Sequence, residues 1–213
     1  MTVTDVNVVK SAIFERPDDA NKGTLGSLLC VCGSYGMAGA AVMSAKGALR
    51  TGIGLAKCAL PRSIYPIVAQ TILESVYYSL NENADGRISK VNVPFLVSES
   101  CKSSATLVGC GLGVCDDTLK IVFSLIENST TPLVLDADAL NCVAKQPEIL
   151  LRKKAPIIIT PHPGEMSRLT GLATPLVNAE RERVALDFAQ KYGVVTVLKG
   201  AGTVIASSNG KVL

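Results

Sequence analysis

The sequence lacks the pattern of cysteines and histidines from which protein zinc sites are usually built. It contains a single histidine, His162, and its seven cysteines include no Cys-x-x-Cys pair. A zinc site is therefore not expected. Cys30 and Cys32 are two positions apart in an apparent strand, so their side chains face the same side of it. We expect both to be buried thiols in a reducing compartment.

Signals for export, membrane insertion and nucleic-acid binding are also missing. Residues 1–10 show no positive leader, long apolar run or small-residue cleavage site. Apolar runs elsewhere stop well short of the length that a membrane-spanning helix needs. The net charge is only +3, from 21 basic and 18 acidic residues, and no basic stripe is visible. We therefore expect a cytoplasmic protein that binds neither nucleic acid nor membrane.

Short apolar runs rich in β-branched residues recur along the chain with helical stretches between them. The helical stretches are 38–51, 116–127 and 177–192. The runs are 27–32, 54–60, 105–108, 132–136, 156–160 and 194–198. This alternation predicts an α/β fold with a doubly wound, mainly parallel sheet and helices on both faces. Residues 71–104 show no clean periodicity, and their structure is left open.

The chain has the composition of one globular domain. Of its 213 residues 48% are apolar, and no repeat, low-complexity tract or linker divides it. Near the end, a strand candidate at 203–206 is followed by Asn209-Gly210, a strong hairpin signal that predicts a returning strand from Lys211. Because that strand would be very short, we interpret residues 1–213 as a single domain truncated at its C-terminus.

Three glycine-rich segments follow predicted strands and are candidates for anion or nucleotide binding. The segments are 33–41, 109–113 and 199–203. Backbone N–H groups of such turns can approach phosphate oxygens, and open α/β sheets place their ligands at the carboxyl ends of the strands. None matches the dinucleotide or P-loop fingerprint. Segment 33–41 could instead be only a tight turn that allows close helix packing, and segment 199–203 only a flexible β-turn with an exposed lysine.

Two further segments place acidic and imidazole side chains at strand ends. In 136–141, Asp138 could cap the next helix or contact a ligand, and its position at the sheet edge favours a ligand. In 160–165, His162 stands between two prolines, which is poorly explained as core filling. Glu165 follows three residues later and could either serve the site or interact with a helix dipole.

Read in order, these segments resemble the ADP/ATP-dependent NAD(P)H-hydrate dehydratases of the ribokinase-like superfamily. The resemblance runs from about residue 20 to the last residue. It rests on K-G-x-x-G at 22–26, the glycine-rich segment with A-L-R-x-G at 48–52, G-x-G-L-G at 109–113, L-D-A-D-A-L-N at 135–141, T-P-H-P-G-E at 160–165 and K-G-x-G-T at 199–203. Six motifs in family order are far more specific than any one of them.

The resemblance implies a metabolite-repair enzyme. Such enzymes use ADP or ATP with Mg²⁺ to phosphorylate the hydroxyl of hydrated NADH or NADPH, and loss of phosphate then restores the dinucleotide. It implies that Ala40, Gly111 or Gly113, Asp138 and His162 contact the hydrated dinucleotide, and that Glu165 organises Mg²⁺ through water. The phosphate cradle would comprise Lys199, Gly200, Ala201, Gly202 and Thr203. A homo-oligomer is also implied.

The sequence departs from the family in one respect. The family's G-S-G-D motif, which supplies an anion hole and the general-base aspartate, occurs nowhere in residues 1–213. We therefore expect no catalytic base within the chain and no activity from it alone. Two alternatives stay open, a ribokinase-like kinase for a small alcohol such as a vitamin precursor, and a relative that binds nucleotides without catalysis.

Overall fold

A computed structural model describes residues 17–213, which form one eight-stranded sheet with the order β3-β2-β1-β4-β5-β6-β7-β8. All neighbouring strands are parallel except β7 and β8, which are antiparallel. The strands are β1 Ser27–Val31, β2 Leu55–Pro61, β3 Val76–Leu80, β4 Ala105–Val108, β5 Leu133–Leu135, β6 Ile157–Ile159, β7 Val195–Leu198 and β8 Val204–Ala206. The doubly wound, mainly parallel sheet is thus confirmed.

Eight α-helices and two 3₁₀ turns connect the described strands. The helices are α1 Ala38–Arg50, α2 Tyr65–Thr71, α3 Val93–Cys101, α4 Asp116–Asn128, α5 Asp138–Val143, α6 Pro163–Thr170, α7 Thr174–Ala179 and α8 Arg181–Tyr192. The 3₁₀ turns are Lys90–Asn92 and Pro147–Arg152. Because β1 to β7 all run in the same direction, the loops that follow these seven strands gather at one edge of the sheet.

Two separate cores show that the sheet is buried on both faces. Cys30 and Cys32 of the β1 segment pack with Ala41 and Ala45 of α1 in a smaller cluster. Leu29 and Val31 alternate with them and belong to a larger cluster that includes side chains of α4, α5 and α8. This alternation confirms that the two cysteines share one face and are buried.

The predicted helix 177–192 is two helices in the structure. Glu180 leaves helical geometry with φ −125° and ψ 42°, so α7 ends at Ala179 and α8 begins at Arg181. The interruption brings the Arg181 side chain within hydrogen-bond distance of the Leu198 and Lys199 carbonyls. Apolar periodicity alone continues through the break, which is why the sequence pattern joined the two helices.

The hairpin predicted near the end of the chain is present. It runs from β8 through the Ser207–Lys211 turn, which contains Gly210 with φ +90°, to the last residues of the chain. On its other side β8 pairs antiparallel with β7. Ile205 and Leu213 exchange two backbone hydrogen bonds of 2.9 and 2.8 Å, and Ala206 forms a bridge with Val212. Within residues 17–213, no helix is long and apolar enough to cross a membrane.

Candidate functional site

The first two glycine-rich loops pack directly against each other at the carboxyl edge of the sheet. The N–H of Gly33 donates to the carbonyl of Cys110 at 2.8 Å, and the hydroxyl of Ser34 donates to the carbonyl of Gly111 at 2.8 Å. A side chain at Gly111, where φ is +67°, would approach the Cβ of Ala40 to 2.7 Å. Ala40 and Gly111, both predicted substrate contacts, are therefore neighbours in space.

Asp138 holds the second glycine loop in place. Its Oδ2 accepts a 2.8 Å hydrogen bond from the N–H of Gly113, and its Oδ1 accepts a 3.3 Å hydrogen bond from the amide of Asn141. Asp138 does not cap α5, because Ala137 occupies the N-cap position and makes no side-chain hydrogen bond. Ala137 has φ +49°, which is uncommon for a residue with a side chain and costs on the order of 1–3 kcal/mol.

Asp136 links the ends of three strands. Its Oδ1 accepts 2.7 Å hydrogen bonds from the ammonium of Lys199 and from the hydroxyl of Thr160. The thiol of Cys110 lies 3.4 Å from its Oδ2. Burial raises the pKa of Asp136, but the hydrogen bonds from Lys199 and Thr160 outweigh it and leave the pKa below its ordinary value. The sequence prediction had favoured Asp138 in this segment and missed this role.

His162 begins α6 as its N-cap. Its Nδ1 accepts hydrogen bonds from the N–H groups of Gly164 at 3.0 Å and Glu165 at 3.3 Å, so Nε2 carries the proton of a neutral imidazole. The side chain is half exposed. A structural reason for this histidine therefore exists, and its predicted contact with substrate would have to come through the exposed part of the ring.

Glu165 is buried and completes a capping box with His162. Its Oε2 accepts a 2.8 Å hydrogen bond from the N–H of His162 and lies 4.0 Å from the ammonium of Lys199. That ammonium also contacts Asp136. Glu165 therefore lies in the first turn of α6 and has a structural role there as part of the capping box, and its predicted role toward Mg²⁺ stays a prediction.

The carboxylates at this edge do not fit a Mg²⁺ ion that the chain would hold by itself. Among residues 17–213, no group of three or more His, Cys, Asp or Glu side chains could hold a metal ion. The ammonium of Lys199 lies 2.7 Å from Oδ1 of Asp136 and 4.0 Å from Oε2 of Glu165, so a positive charge already neutralises these carboxylates. Contact of Glu165, through water, with a Mg²⁺ that arrives on nucleotide phosphates stays a prediction.

The third glycine loop follows β7, and the Arg181 side chain holds its first residues by hydrogen bonds. The guanidinium donates to the carbonyls of Leu198 at 2.7 Å and Lys199 at 3.1 Å. Gly200 has φ +157°, and a side chain there would lie 2.8 Å from the guanidinium. The N–H of Lys199 donates to the carbonyl of Pro161 at 2.8 Å, which joins this loop to the His162 segment.

The predicted phosphate cradle is exposed, but its lysine points away from it. Ala201, Gly202 and Thr203 are exposed, and the hydroxyl of Thr203 donates to the carbonyl of Gly200 at 3.1 Å. The ammonium of Lys199 is engaged with Asp136. A cleft of about 550 Å³ borders the loop, lined by the α7–α8 junction, Gly202 and Val204.

A short hairpin after β3 reaches the first two glycine loops, and sequence reasoning missed it. Glu82 and Ile88 form an antiparallel bridge, and the carbonyl of Gly86 accepts a 2.9 Å hydrogen bond from the N–H of Tyr35. Arg87 on this hairpin lies against Gly113, where an added Cβ would collide with its Nε. The only sequence signal was the polar turn within 81–86.

Comparison with known proteins identifies the family to which this chain belongs. The family model for NAD(P)H-hydrate dehydratase matches residues 28–213. The chain belongs to the NAD(P)H-hydrate dehydratase family. This confirms the family to which the sequence motifs pointed.

Curated relatives of the dehydratase family are longer than this chain. It is 39% identical over 196 residues to the bifunctional NAD(P)H-hydrate repair enzyme Nnr of Thermofilum pendens, covering 92% of this chain and 37% of that protein. It is 31% identical over 200 residues to the ADP-dependent (S)-NAD(P)H-hydrate dehydratase of Neisseria meningitidis, covering 92% of this chain and 63% of that protein. The chain thus spans less than two thirds of the length of either relative.

A solved dehydratase structure shares the fold. The ADP/ATP-dependent NAD(P)H-hydrate dehydratase of Bacillus subtilis, co-crystallised with ATP/Mg²⁺, superposes with a TM-score of 0.81 at 30% identity. The match covers 97% of this chain and 69% of that chain. The ribokinase-like α/β architecture expected from the motifs is therefore confirmed for the described part of the chain.

Proposed function

We propose that this chain carries the two ligand sites of an ADP- or ATP-dependent NAD(P)H-hydrate dehydratase. Hydrated NADH or NADPH would bind over Ala40, Gly111, Gly113, Asp138 and His162. The nucleotide phosphates would bind over Gly200–Thr203. The observation that carries the proposal is the contact between Lys199 and Asp136, because it ties the loop for the phosphoryl donor to the loops for the dinucleotide. Donor and acceptor would then be held side by side.

The reaction that we propose has two steps. The hydroxyl oxygen of the hydrate forms a bond to the terminal phosphorus of ADP or ATP, its proton passes to a base, and the bond from that phosphorus to the leaving nucleotide breaks. The C–O bond of the phosphorylated hydrate then breaks, inorganic phosphate leaves with the bonding pair, and loss of a ring proton restores the double bond. This chain's residues would bind and orient the two reactants.

Electrostatic stabilisation is the main chemical contribution that these residues can make. Lys199 lies between the two proposed sites and carries the positive charge that a transferring phosphoryl group requires. Mg²⁺, when bound with the nucleotide, would neutralise phosphate charge, and Glu165 would contact it through water. The Lys199 side chain is 42% exposed while its ammonium contacts Asp136, so a ligand can approach it from solvent.

We further propose that residues 1–213 bind ligands but turn hydrate over slowly or not at all. The support is the lack of a G-x-G-D sequence, and with it of the family's general base, in this stretch of sequence. A cytoplasmic location and homo-oligomeric assembly belong to the same proposal and rest on the resemblance. A vitamin-precursor kinase is the weaker alternative, since both relatives described above are named for the repair or dehydration of NAD(P)H hydrates.

The test is binding and turnover with defined ligands. Isothermal titration should show micromolar binding of ADP with Mg²⁺ and of hydrated NADPH to the 213-residue chain. Absorbance of NADPH should recover at most slowly. Rapid recovery with ADP would contradict the proposed lack of turnover, and accumulation of a phosphorylated small alcohol would establish the kinase. Failure to bind either ligand would overturn the proposed sites.

A further inference from the structure

The hairpin after β3, residues 82–88, is a rigid part of the candidate site. The side chain of Asn83 closes its turn, with Oδ1 accepting hydrogen bonds from the N–H groups of Asp85 at 3.0 Å and Arg87 at 3.1 Å. The N–H of Asn83 donates to the carbonyl of Arg87 at 2.9 Å. These bonds fix the backbone that presents the Arg87 side chain.

Two outside contacts clamp the same hairpin to the sheet edge. The amide of Asn83 donates to Oδ2 of Asp117 on α4 at 2.9 Å, and the N–H of Lys90 donates to Oδ1 of Asp117 at 3.2 Å. On the other side, Gly86 packs so closely on Tyr35 that any added Cβ would collide with it. The hairpin therefore crosses β2 and rests on the loops that follow β1 and β4.

Arg87 lies directly on the second glycine loop. An added Cβ at Gly113 would collide with Nε of Arg87, and Nη1 of Arg87 lies 3.5 Å from the carbonyl oxygen of Val114. Gly113 is also the residue whose N–H is held by Asp138. A guanidinium and a glycine-rich loop thus adjoin the position that the proposed function assigns to the dinucleotide.

The hydrogen-bonding capacity of Arg87 is largely unused within the described residues. A guanidinium offers five N–H donors in a fixed fork. Its carboxylate neighbour Asp85 is 3.5 Å away and 69% exposed, so water screens that ion pair. The Val114 carbonyl is equally distant.

The two sides of Gly113 suit different parts of a dinucleotide. Asp138 is an acceptor that suits ribose hydroxyls and repels phosphate. Arg87, on the other side, matches phosphate oxygens in a bidentate fashion. We propose that Arg87 binds the pyrophosphate of the hydrated dinucleotide against the Gly111–Gly113 loop. This inference rests on the proposed function, and it adds a binding residue that neither the motifs nor the family match assigns.

The experiment compares ligands with and without the phosphate. Two ligands are titrated into wild type, Arg87→Met and Arg87→Lys. One is hydrated NADH, and the other is hydrated dihydronicotinamide riboside, which carries no phosphate. Arg87→Met should weaken hydrated NADH about 10- to 100-fold, the usual loss for a charged hydrogen bond, and leave the riboside unchanged. Arg87→Lys, which keeps the charge but not the fork, should lose less.

Lys90→Met is the matched control, because Lys90 is an exposed cation two residues after the hairpin and its backbone N–H makes its hydrogen bond to Asp117. It should bind both ligands like wild type. Unchanged binding of hydrated NADH by Arg87→Met, or equal weakening of both ligands, would overturn the Arg87 inference while leaving the proposed function standing. If wild type binds neither ligand, the proposed function fails, and the Arg87 inference fails with it.

Discussion

The ammonium nitrogen of Lys199 lies 2.7 Å from Oδ1 of Asp136, 63 positions earlier in the chain. These residues follow β7 and β5, and the strand between them, β6, supplies Thr160 to the same carboxylate oxygen. One carboxylate therefore joins three strand ends. Since parallel strands end at the same edge, a single side chain can couple the loops of two ligand sites.

Asp136 should make the stability of the protein depend on pH in the acidic range. Its pKa is lowered in the folded state, so the unfolded chain binds the proton more tightly. The stabilisation is present above the ordinary aspartate value, roughly pH 3.9, and is lost as pH falls below it through the folded pKa. Urea unfolding of wild type and Asp136→Asn from pH 7 to pH 3 measures this difference.

Asp117 and Glu82 also have lowered pKa values and also make stability depend on pH. Hydrogen bonds from Asn83 and from Ser63, respectively, are the main causes of these lowered values. Since both Asp117 and Glu82 are present in wild type and in Asp136→Asn, their effects cancel in the difference between the two proteins. We expect the free-energy gap between wild type and Asp136→Asn to shrink as pH decreases. A gap that stays constant over this range would show that the ionised carboxylate contributes nothing.

His162 can be tested separately as a helix cap and as a ligand contact. Asparagine is a good N-cap, so His162→Asn should keep stability near wild type, whereas His162→Ala should lose about 1 kcal/mol. Both substitutions should weaken hydrated NADPH and leave ADP affinity within about twofold, a change smaller than 0.5 kcal/mol. Titration calorimetry with each ligand gives the answer. Normal binding of hydrated NADPH by His162→Asn would contradict the predicted ligand contact and leave His162 only its role as a helix cap.

Gly109 should tolerate no side chain. Its φ is +123°, and an added Cβ would overlap the carbonyl oxygen of Asp136 and lie 2.7 Å from the Cβ of Ala139. Gly109→Ala should therefore destabilise the fold by more than about 3 kcal/mol. Gly47→Ala is the control, since Gly47 lies within α1 with open space around it. That substitution should stabilise by about 0.5–1 kcal/mol. Thermal unfolding of both variants compares them directly.

Arg181 should be needed for nucleotide binding although it does not belong to the cradle. Arg181→Met removes the donors to the Leu198 and Lys199 carbonyls and should weaken ADP about tenfold, equivalent to 1.4 kcal/mol. Hydrated NADPH should bind as before. Arg183→Met, on the same helix and paired with Glu180 and Asp187 instead, should change neither affinity. Equal effects of the two substitutions would point to net charge as the cause.

Much of this architecture follows from local sequence signals. Buried parallel strands read as continuous apolar runs, and the glycine loops follow them at the edge where ligands bind. β3 was missed because it is a sheet-edge strand, and Val76 and Ser79 are exposed, which removes the continuous apolar pattern. Glu180 interrupts a helix without any glycine or proline at the break. Neither feature has a strong local signature.

The missed site residues depend on contacts between distant segments. Arg87 approaches Gly113 and Val114 only because the hairpin folds across β2, 27 positions away from Val114 in sequence. Asp136 was within a segment that the sequence singled out, but two carboxylates stand there, and only the structure shows which one faces Lys199 and Thr160. Spacing along the chain contains no information about either choice.

The most direct test of the two-site account is a titration of ADP with Mg²⁺ into the 213-residue chain, with and without saturating hydrated NADPH. If donor and acceptor bind side by side, ADP should bind in both conditions with micromolar affinity, and the hydrate should remain bound. Mutual exclusion of the two ligands, or no ADP binding in either condition, would contradict the account.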